Sequence, residues 1–175
     1  MPTQPDWAEL KRLTAGYDFE QYDAGQDQVV FCRVELKLSE VIARVSAACG
    51  GPSHRVPFLY CFADTLVIDE PFLPARATTI VARSLIVESG TPLVAPNPAT
   101  ENIAGVCTIQ LLAGQVLGGP LQLMMKGAAP QAVPLDGAAP ESITFVTGQP
   151  LARSQGPLEL LDLLRHPIAW NGMKA

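Results

Sequence analysis

Apolar and polar residues alternate with a period of two along residues 29–38. The members of the apolar set are Val30, Cys32, Val34, Leu36 and Leu38. Side chains of a strand point alternately to opposite faces, so this period is typical of a half-buried β-strand. The segment therefore predicts a strand with one buried face and one face towards solvent.

Helical spacing of apolar residues occurs in three other segments. A capping box precedes residues 7–15, which predicts a short N-terminal helix. Ser39 can cap a second helix that ends at a Gly-Gly pair, and a strand over residues 40–46 is the alternative for that segment. Its predicted apolar face contains Val41, Ile42, Val45, Ala48 and Cys49. Residues 157–165 begin with a proline and repeat leucines at helical spacing, so they predict a third helix.

Two segments of similar sequence lie in the middle of the chain. Residues 60–69 and residues 79–88 share the pattern Ala-x-[Thr/Ser]-Leu-[Val/Ile]-[Ile/Val]-[Asp/Glu]. A looser third copy matches Thr79-Ile80 to Thr108-Ile109, and the extra length of this interval falls in a predicted loop at 96–102. Repeats of about 20 residues that are rich in β-forming residues and interrupted by Gly and Pro are typical of β-solenoids.

We therefore predict a mainly β fold: a short parallel β-solenoid, similar to a right-handed β-helix, with helical caps at both ends. The side chains predicted to point inward are Leu66, Ile68, Leu85, Val87, Ile109 and Leu111. On this interpretation Thr65 and Ser84, one step out of phase, form a small polar ladder. A β-sandwich or barrel is the main alternative, because two strands of such a fold can resemble each other, and a mixed α+β fold is the next.

The chain is predicted to form a single domain, residues 1–175, with four parts. These are an N-terminal helix, strand and cap (1–57), a repeat-bearing β core (58–126), a linker or long loop rich in Pro, Ala and Gly (127–141) and a C-terminal strand and helix (142–175). The repeat is loosely similar, over about residues 58–125, to short polymer-forming β-helical proteins such as the bactofilins. No functional residue is carried over from that resemblance.

Composition and charge restrict the class of protein. Of the 175 residues, 48% are hydrophobic and 17% are charged, and the net charge is -5. An acidic chain with scattered basic residues lacks the clustered Lys and Arg that nucleic-acid binding requires. Residues 102–125 carry no charge, but Gly118, Gly119 and Pro120 would break a spanning helix. We predict neither a nucleic-acid partner nor a transmembrane span.

The cysteine pattern predicts a reducing compartment. Cys32, Cys49, Cys61 and Cys107 form no C-x-x-C pair, and Cys61 and Cys107 lie inside apolar runs. Buried free thiols that pack as small hydrophobic groups explain this pattern better than disulfides do. The N-terminus lacks the features of a secretory signal, so we expect a cytoplasmic location, with signal-independent export as the alternative.

The residues that could carry chemistry are few and dispersed. His54 and His166 are isolated, which leaves no zinc-binding spacing. Asp69 and Glu88 occupy equivalent positions of the repeat and would be stacked, as a cation site or, on the alternative interpretation, as strand ends facing water. His54 with Asp64 is the one acid–base pair worth considering. We predict no catalytic site, metal site or cofactor.

These observations predict a non-enzymatic structural or interaction module that self-associates or belongs to a larger protein. Its partner would be another protein or a second copy. One alternative is a small-ligand or glycan-binding module in which Tyr17, Tyr22 and Trp170 stack on a sugar. The other alternative is an enzyme of unknown class that uses His54 with Asp64.

Overall fold

A computed structural model describes most of the chain. The described residues are 8, 10, 11, 14, 19–23, 28–48, 56–100, 105–132, 141–147 and 152–153. Their strands and helix are β1 (Phe19–Asp23), β2 (Gln28–Lys37), α1 (Leu38–Ala48), β3 (Val56–Ile68), β4 (Ala75–Val87), β5 (Leu93–Ala95), β6 (Thr108–Leu117), β7 (Gln122–Met125), β8 (Gln131–Ala132), β9 (Glu141–Val146) and β10 (Ala152–Arg153). The predicted mainly β fold is confirmed at this level.

Ten strands of the described residues form two sheets. The larger has the order β1-β2-β3-β4-β6-β9-β10, and the smaller has the order β5-β7-β8. The pairs β2–β3, β3–β4, β4–β6 and β5–β7 are parallel. The outer pairs β1–β2, β6–β9, β9–β10 and β7–β8 are antiparallel. The sheets are therefore mixed, and within the described residues they do not close into a barrel.

Helix α1 connects the parallel strands β2 and β3. Val41 and Val45 are buried in the core, as the helical spacing predicted, and the alternative strand over residues 40–46 is wrong. The prediction that Ser39 caps the helix is wrong, because α1 begins at Leu38 and Ser39 lies inside its first turn. The Ser39 N–H and Oγ donate instead to the carboxylate of Asp69, which follows β3, at 2.8 and 2.6 Å. A carboxylate at a helix N-terminus also interacts favourably with the helix dipole.

The predicted repeat of residues 60–69 in residues 79–88 is confirmed as a strand register. β3 pairs with β4 from Val56 opposite Ala75 to Ile68 opposite Val87. The predicted third copy has the wrong register, since Thr79 lies opposite Gln110 rather than Thr108. This shift of two positions preserves which side chains point inward, because the strand period is two. Sequence similarity alone could therefore not separate the two registers.

The parallel strands of the larger sheet change direction at one shared position. Backbone pairing between the strands is interrupted at one row, which consists of Val34, Asp64, Arg83 and Gly114. In β3 the core residues before this row are odd-numbered, up to Ala63, and those after it are even-numbered, from Leu66 onwards. The side chains that point inward therefore change from odd to even positions. β4 shows the same change at this row, since Ile80 and Ala82 before it and Leu85 and Val87 after it belong to the core. Each strand thus has two halves that face one core from different directions.

The length of the chain requires this bend. A straight strand of 13 residues would extend about 40 Å. The segment from Ile68 to Ala75, which returns the chain to the start of β4, spans at most about 25 Å when fully extended. β3 must therefore bend for β4 to begin beside its first residue.

The bend also corrects the prediction for residues 29–38. The strand exists as β2, but the predicted single apolar face is wrong. Phe31 and Leu36 both belong to the core, whereas Val34 lies at the bend and is 49% exposed. Val30 and Cys32 are buried on the opposite face. A regular alternation cannot reveal a position at which the strand turns a corner.

The strands bury their inward side chains, and their first halves also bury one row on the opposite face. The six side chains predicted to point inward, from Leu66 to Leu111, all belong to the core. On the opposite face, one row runs across β2, β3, β4 and β6 through fully buried residues: Cys32, Phe62, Val81 and Leu112. Other positions on this face are open, since Phe58 is 44% exposed and Gln110 is also exposed.

The ends of the sheet differ from the predicted helical caps. Antiparallel strands β1 and β9 flank the parallel block, although residues 8, 10, 11 and 14 are helical as predicted for 7–15. The predicted strand over 142–147 is confirmed as β9, and the predicted linker contains β8. The predicted helix over 157–165 lies outside the described residues.

Thr78 offers a test of the inner packing. Its side chain is buried in the inward row that contains Leu59 and Ile109, and its hydroxyl lacks a hydrogen-bond partner among the described residues. An unsatisfied buried hydroxyl costs about 1 to 3 kcal/mol, so Thr78→Val is expected to raise the free energy of unfolding by about 1 kcal/mol. Urea denaturation measures this change.

Thr79→Val is the matched control on the opposite face. The Thr79 hydroxyl donates to Gln110 Oε1 at 3.5 Å, so its replacement is expected to leave stability unchanged or lower. A Thr78→Val variant that is less stable than the wild type would contradict the proposed packing of that row.

Candidate functional site at the strand bend

The bend brings together two charged side chains. Asp64 of β3 and Arg83 of β4 occupy the row that the ladder omits. The guanidinium donates through Nε to Oδ1 at 2.8 Å and through Nη2 to Oδ2 at 3.0 Å. This two-point geometry is the strongest form of an arginine–carboxylate pair. It joins the two strands where they lack a backbone ladder.

The ion pair fixes the charge of Asp64. The hydrogen bond from Arg83 lowers the pKa of Asp64, burial opposes that change, and the charges of Arg83 and Lys11 lower the pKa further. The same hydrogen bond raises the pKa of Arg83. Asp64 is therefore a carboxylate at neutral pH with both oxygens bound. A group in this state is poorly suited to donate a proton.

The structure describes only one residue of the predicted acid–base pair, Asp64. His54 and His166 both lie outside the described residues. Asp64 is bound to Arg83. The spacing of the two repeat copies could have identified this partner, because it places Arg83 beside Asp64.

A polar row follows the bend directly. Thr65 lies opposite Ser84, so the predicted register of this ladder is confirmed, and Ser84 lies opposite Gln115. Gln115 Nε2 donates to Ser84 Oγ at 2.7 Å. Gln115 was not predicted, because the spacing expected for the third copy would have placed Ala113 beside Ser84. These contacts hold strands together and leave Ser84 without the character of an activated nucleophile.

The two predicted stacked carboxylates end their strands. The oxygens of Asp69 accept hydrogen bonds from Ser39, and Glu88 is exposed, with its N–H donating to the Ile68 carbonyl at 3.1 Å. Asp69 is thus part of the support for α1. Within the residues that the structure describes, no group of three or more His, Cys, Asp or Glu side chains is placed to hold a metal ion.

Three cysteines are buried thiols rather than members of disulfides, as predicted. They are Cys32, Cys61 and Cys107, whereas Cys49 lies outside the described residues. Burial raises the pKa of Cys61 to about 12, so its thiol stays protonated. A protonated thiol is a weak nucleophile. Cys61 therefore has the properties of a packing residue.

A row of apolar side chains lies on the outside of the smaller sheet, and we call it the Phe72 row. Val94 pairs with Met124 in the ladder and with Phe72 in an isolated bridge. Their neighbours in sequence belong to the core or pack against it, so the row itself faces away from the core. The Phe72 side chain is 53% exposed, and Lys126 Nζ lies 5.6 Å from the centre of its ring.

Sequence inspection did not find the Phe72 row. Its members are far apart in the chain, and their alignment depends on the turns between strands. The only local signal is that Phe72 lies between Pro71 and Pro74, where a large aromatic side chain has little regular structure to bury it.

Comparison with known proteins adds no further constraint. No protein-family model, no curated protein and no solved structure matches the chain. The described part of the chain contains no helix that is both long and apolar enough to cross a membrane.

The Asp64–Arg83 pair predicts a pH-dependent contribution to stability. Because the folded state lowers the pKa of Asp64, the contribution is present above the pKa of the unfolded carboxyl, near 3.8. It is lost as the pH falls through the lower pKa of the folded state. Arg83→Gln is expected to lower the free energy of unfolding at neutral pH by about 1 kcal/mol or less, because the Arg83 side chain is 41% exposed.

The difference between wild type and Arg83→Gln should shrink in acid, as measured by urea denaturation at neutral pH and at a pH below the folded pKa of Asp64. Arg76→Gln removes an exposed arginine of the same strand and serves as the matched control. Equal losses of stability for the two variants, or a loss that does not depend on pH, would contradict the role of the pair.

Proposed function

We propose that this protein is a non-enzymatic interaction module whose core is a short parallel β-solenoid. The in-register pairing of β2, β3, β4 and β6 supports the solenoid, as does their shared bend. Leu59, Leu66 and Leu73 lie before the bend, after the bend and beside the smaller sheet, and all three contribute to one core. A β-sandwich is typically built from antiparallel sheets, whereas the central strands here pair in parallel.

The candidate chemical groups favour an interaction role over catalysis. Asp64 is bound to Arg83, Asp69 to Ser39, and Ser84 to Gln115. Each contact joins two elements of the fold. These groups are thus accounted for by the stability of the structure, and no arrangement of a nucleophile with a base accompanies them in the described residues.

The observation that carries the proposal is the Phe72 row. It places the exposed ring of Phe72 in one row with Val94, which is 5% exposed, and Met124, which is half-buried, with the charged Lys126 at its edge. Exposed aromatic and methionine side chains are enriched in protein interfaces, where a few such anchors carry most of the affinity. We propose that this surface binds a second copy of the chain in the cytoplasm.

The ends of the parallel block support association through a side surface. β1 covers the edge of β2 from Gln28 to Cys32, and β9 covers the edge of β6 from Thr108 to Ala113. Covering strand edges is a common way to prevent pairing with other chains. Over these first halves a second copy cannot extend the ladder, which favours contact through the side of the stack.

Light scattering after gel filtration, across a hundredfold concentration range, tests the proposal. The wild type is expected to grow from the monomer mass of 18.6 kDa towards a dimer as concentration rises. Phe72→Asp is expected to remain at the monomer mass throughout, because it removes the aromatic anchor and places a carboxylate in the contact.

Phe58→Asp is the matched control, since Phe58 is 44% exposed on a strand of the larger sheet. It is expected to associate like the wild type, and circular dichroism verifies that both variants fold. A wild type that stays monomeric would overturn self-association. Loss of association in Phe58→Asp alone would overturn the assignment to the Phe72 row.

A further inference from the structure

Charged side chains lie on both sides of the Phe72 row, and the two signs are separated. The segments that form the row run parallel, so each neighbouring residue lies either before the row or after it in the chain direction. Glu70 and Glu88 lie before the row, whereas Arg76 and Lys126 lie after it. All four residues are exposed. We call Glu70 and Glu88 the acidic end, and Arg76 and Lys126 the basic end.

Lys126 is held in place beside the row. Its N–H donates to the Ala95 carbonyl at 2.9 Å, and its carbonyl accepts from Asn97 Nδ2 at 3.1 Å. Its Nζ lies 5.6 Å from the centre of the Phe72 ring, within the range of a cation–π interaction. The ammonium therefore reaches across the smaller sheet to the segment that contains Glu70, and it is positioned before any partner binds.

Glu70 and Lys126 are not engaged by other charges in the described part of the chain. Neither forms an ion pair there, in contrast to Asp64 and Arg83. The bridge between Phe72 and Val94 shows that the segment after Glu70 is extended, and residues two apart in an extended segment share a face. The Phe72 ring is thus flanked by a carboxylate on one side and an ammonium on the other, and both are open to charges of a partner.

We propose that two copies meet face to face with their strands antiparallel, so that Glu70 of each copy pairs with Lys126 of the other. This inference rests on the proposed self-association through the Phe72 row. A two-fold axis along that row reverses the strand direction of one copy, so the acidic end of each copy lies against the basic end of the other. A two-fold contact is self-complementary, and each pair is therefore formed twice.

Charge favours this orientation over a parallel one. In a parallel contact the like-charged ends would meet, which costs free energy, and the net charge of -5 adds a general repulsion between copies. Exposed ion pairs contribute little affinity, because water and salt screen them. The Phe72 row therefore supplies the attraction, and the charged ends determine the orientation.

Two charge reversals and their mixture test this arrangement. Glu70→Lys and Lys126→Glu each turn two attractive pairs of the dimer into two repulsive ones, so each is expected to raise the dissociation constant about tenfold. In a mixed dimer of the two variants both pairs again have opposite charges, so the equimolar mixture should associate like the wild type. Light scattering across the same concentration range measures each variant and the mixture.

Glu35→Lys and Lys37→Glu are the matched controls. They make the same two changes of net charge at exposed residues of β2 in the larger sheet. Each should associate like the wild type, both alone and in the mixture, because the change lies away from the contact. Circular dichroism verifies that every variant folds.

The outcomes separate this arrangement from the self-association on which it rests. Single variants that associate like the wild type would overturn the antiparallel pairing, and so would a mixture that stays as weak as its components. If the wild type dimerises and Phe72→Asp does not, either result leaves the Phe72 row standing as the contact. A wild type that is monomeric at every concentration overturns the proposed function and this inference together.

Discussion

The shared bend of the parallel strands is the constraint on which the rest of the structure depends. Every strand of the block changes its inward parity at the row of Asp64 and Arg83, so two halves of one strand supply two sides of the same core. A one-residue slip of any strand would turn its apolar side chains outward on both halves. The ion pair at the bend joins β3 to β4 where backbone pairing is interrupted. In the rows on either side, main-chain hydrogen bonds join the two strands instead.

Much of this architecture could be predicted from the sequence because the relevant signals are local. The spacing of the first two repeat copies, the inward leucines and isoleucines and the existence of α1 all follow from periodicity within short windows. The register of β6 against β4 could not be found, because a strand shifted by two positions presents the same inward pattern. The bend itself was hidden in β2, where Val34 continues the alternation of its neighbours and yet lies exposed at the corner.

Some contacts of the candidate site could likewise be predicted from the sequence, and others could not. The Asp64–Arg83 pair and the Thr65–Ser84 ladder follow directly from the spacing of the first two copies. The Phe72 row could not be predicted, since its members align only after two turns of different length have brought β5 beside β7. Contacts that depend on a repeat can therefore be read from the sequence, whereas contacts that depend on the connections between repeats require the structure. The capping of α1 by Asp69 belongs to the second kind.

The antiparallel strands determine which backbone edges of the parallel block are already paired. A parallel stack has two exposed edges, and each would accept a further strand if it were uncovered. β1 and β9 cover both edges over the first halves of the strands, and Ile143 and Phe145 make β9 part of the core as well as a cover. Removal of β9 would therefore expose apolar side chains and backbone edge together. Over Thr108–Ala113 the edge of β6 is therefore already paired, which leaves the side of the stack and the second halves of the strands as the described surfaces that another chain could contact.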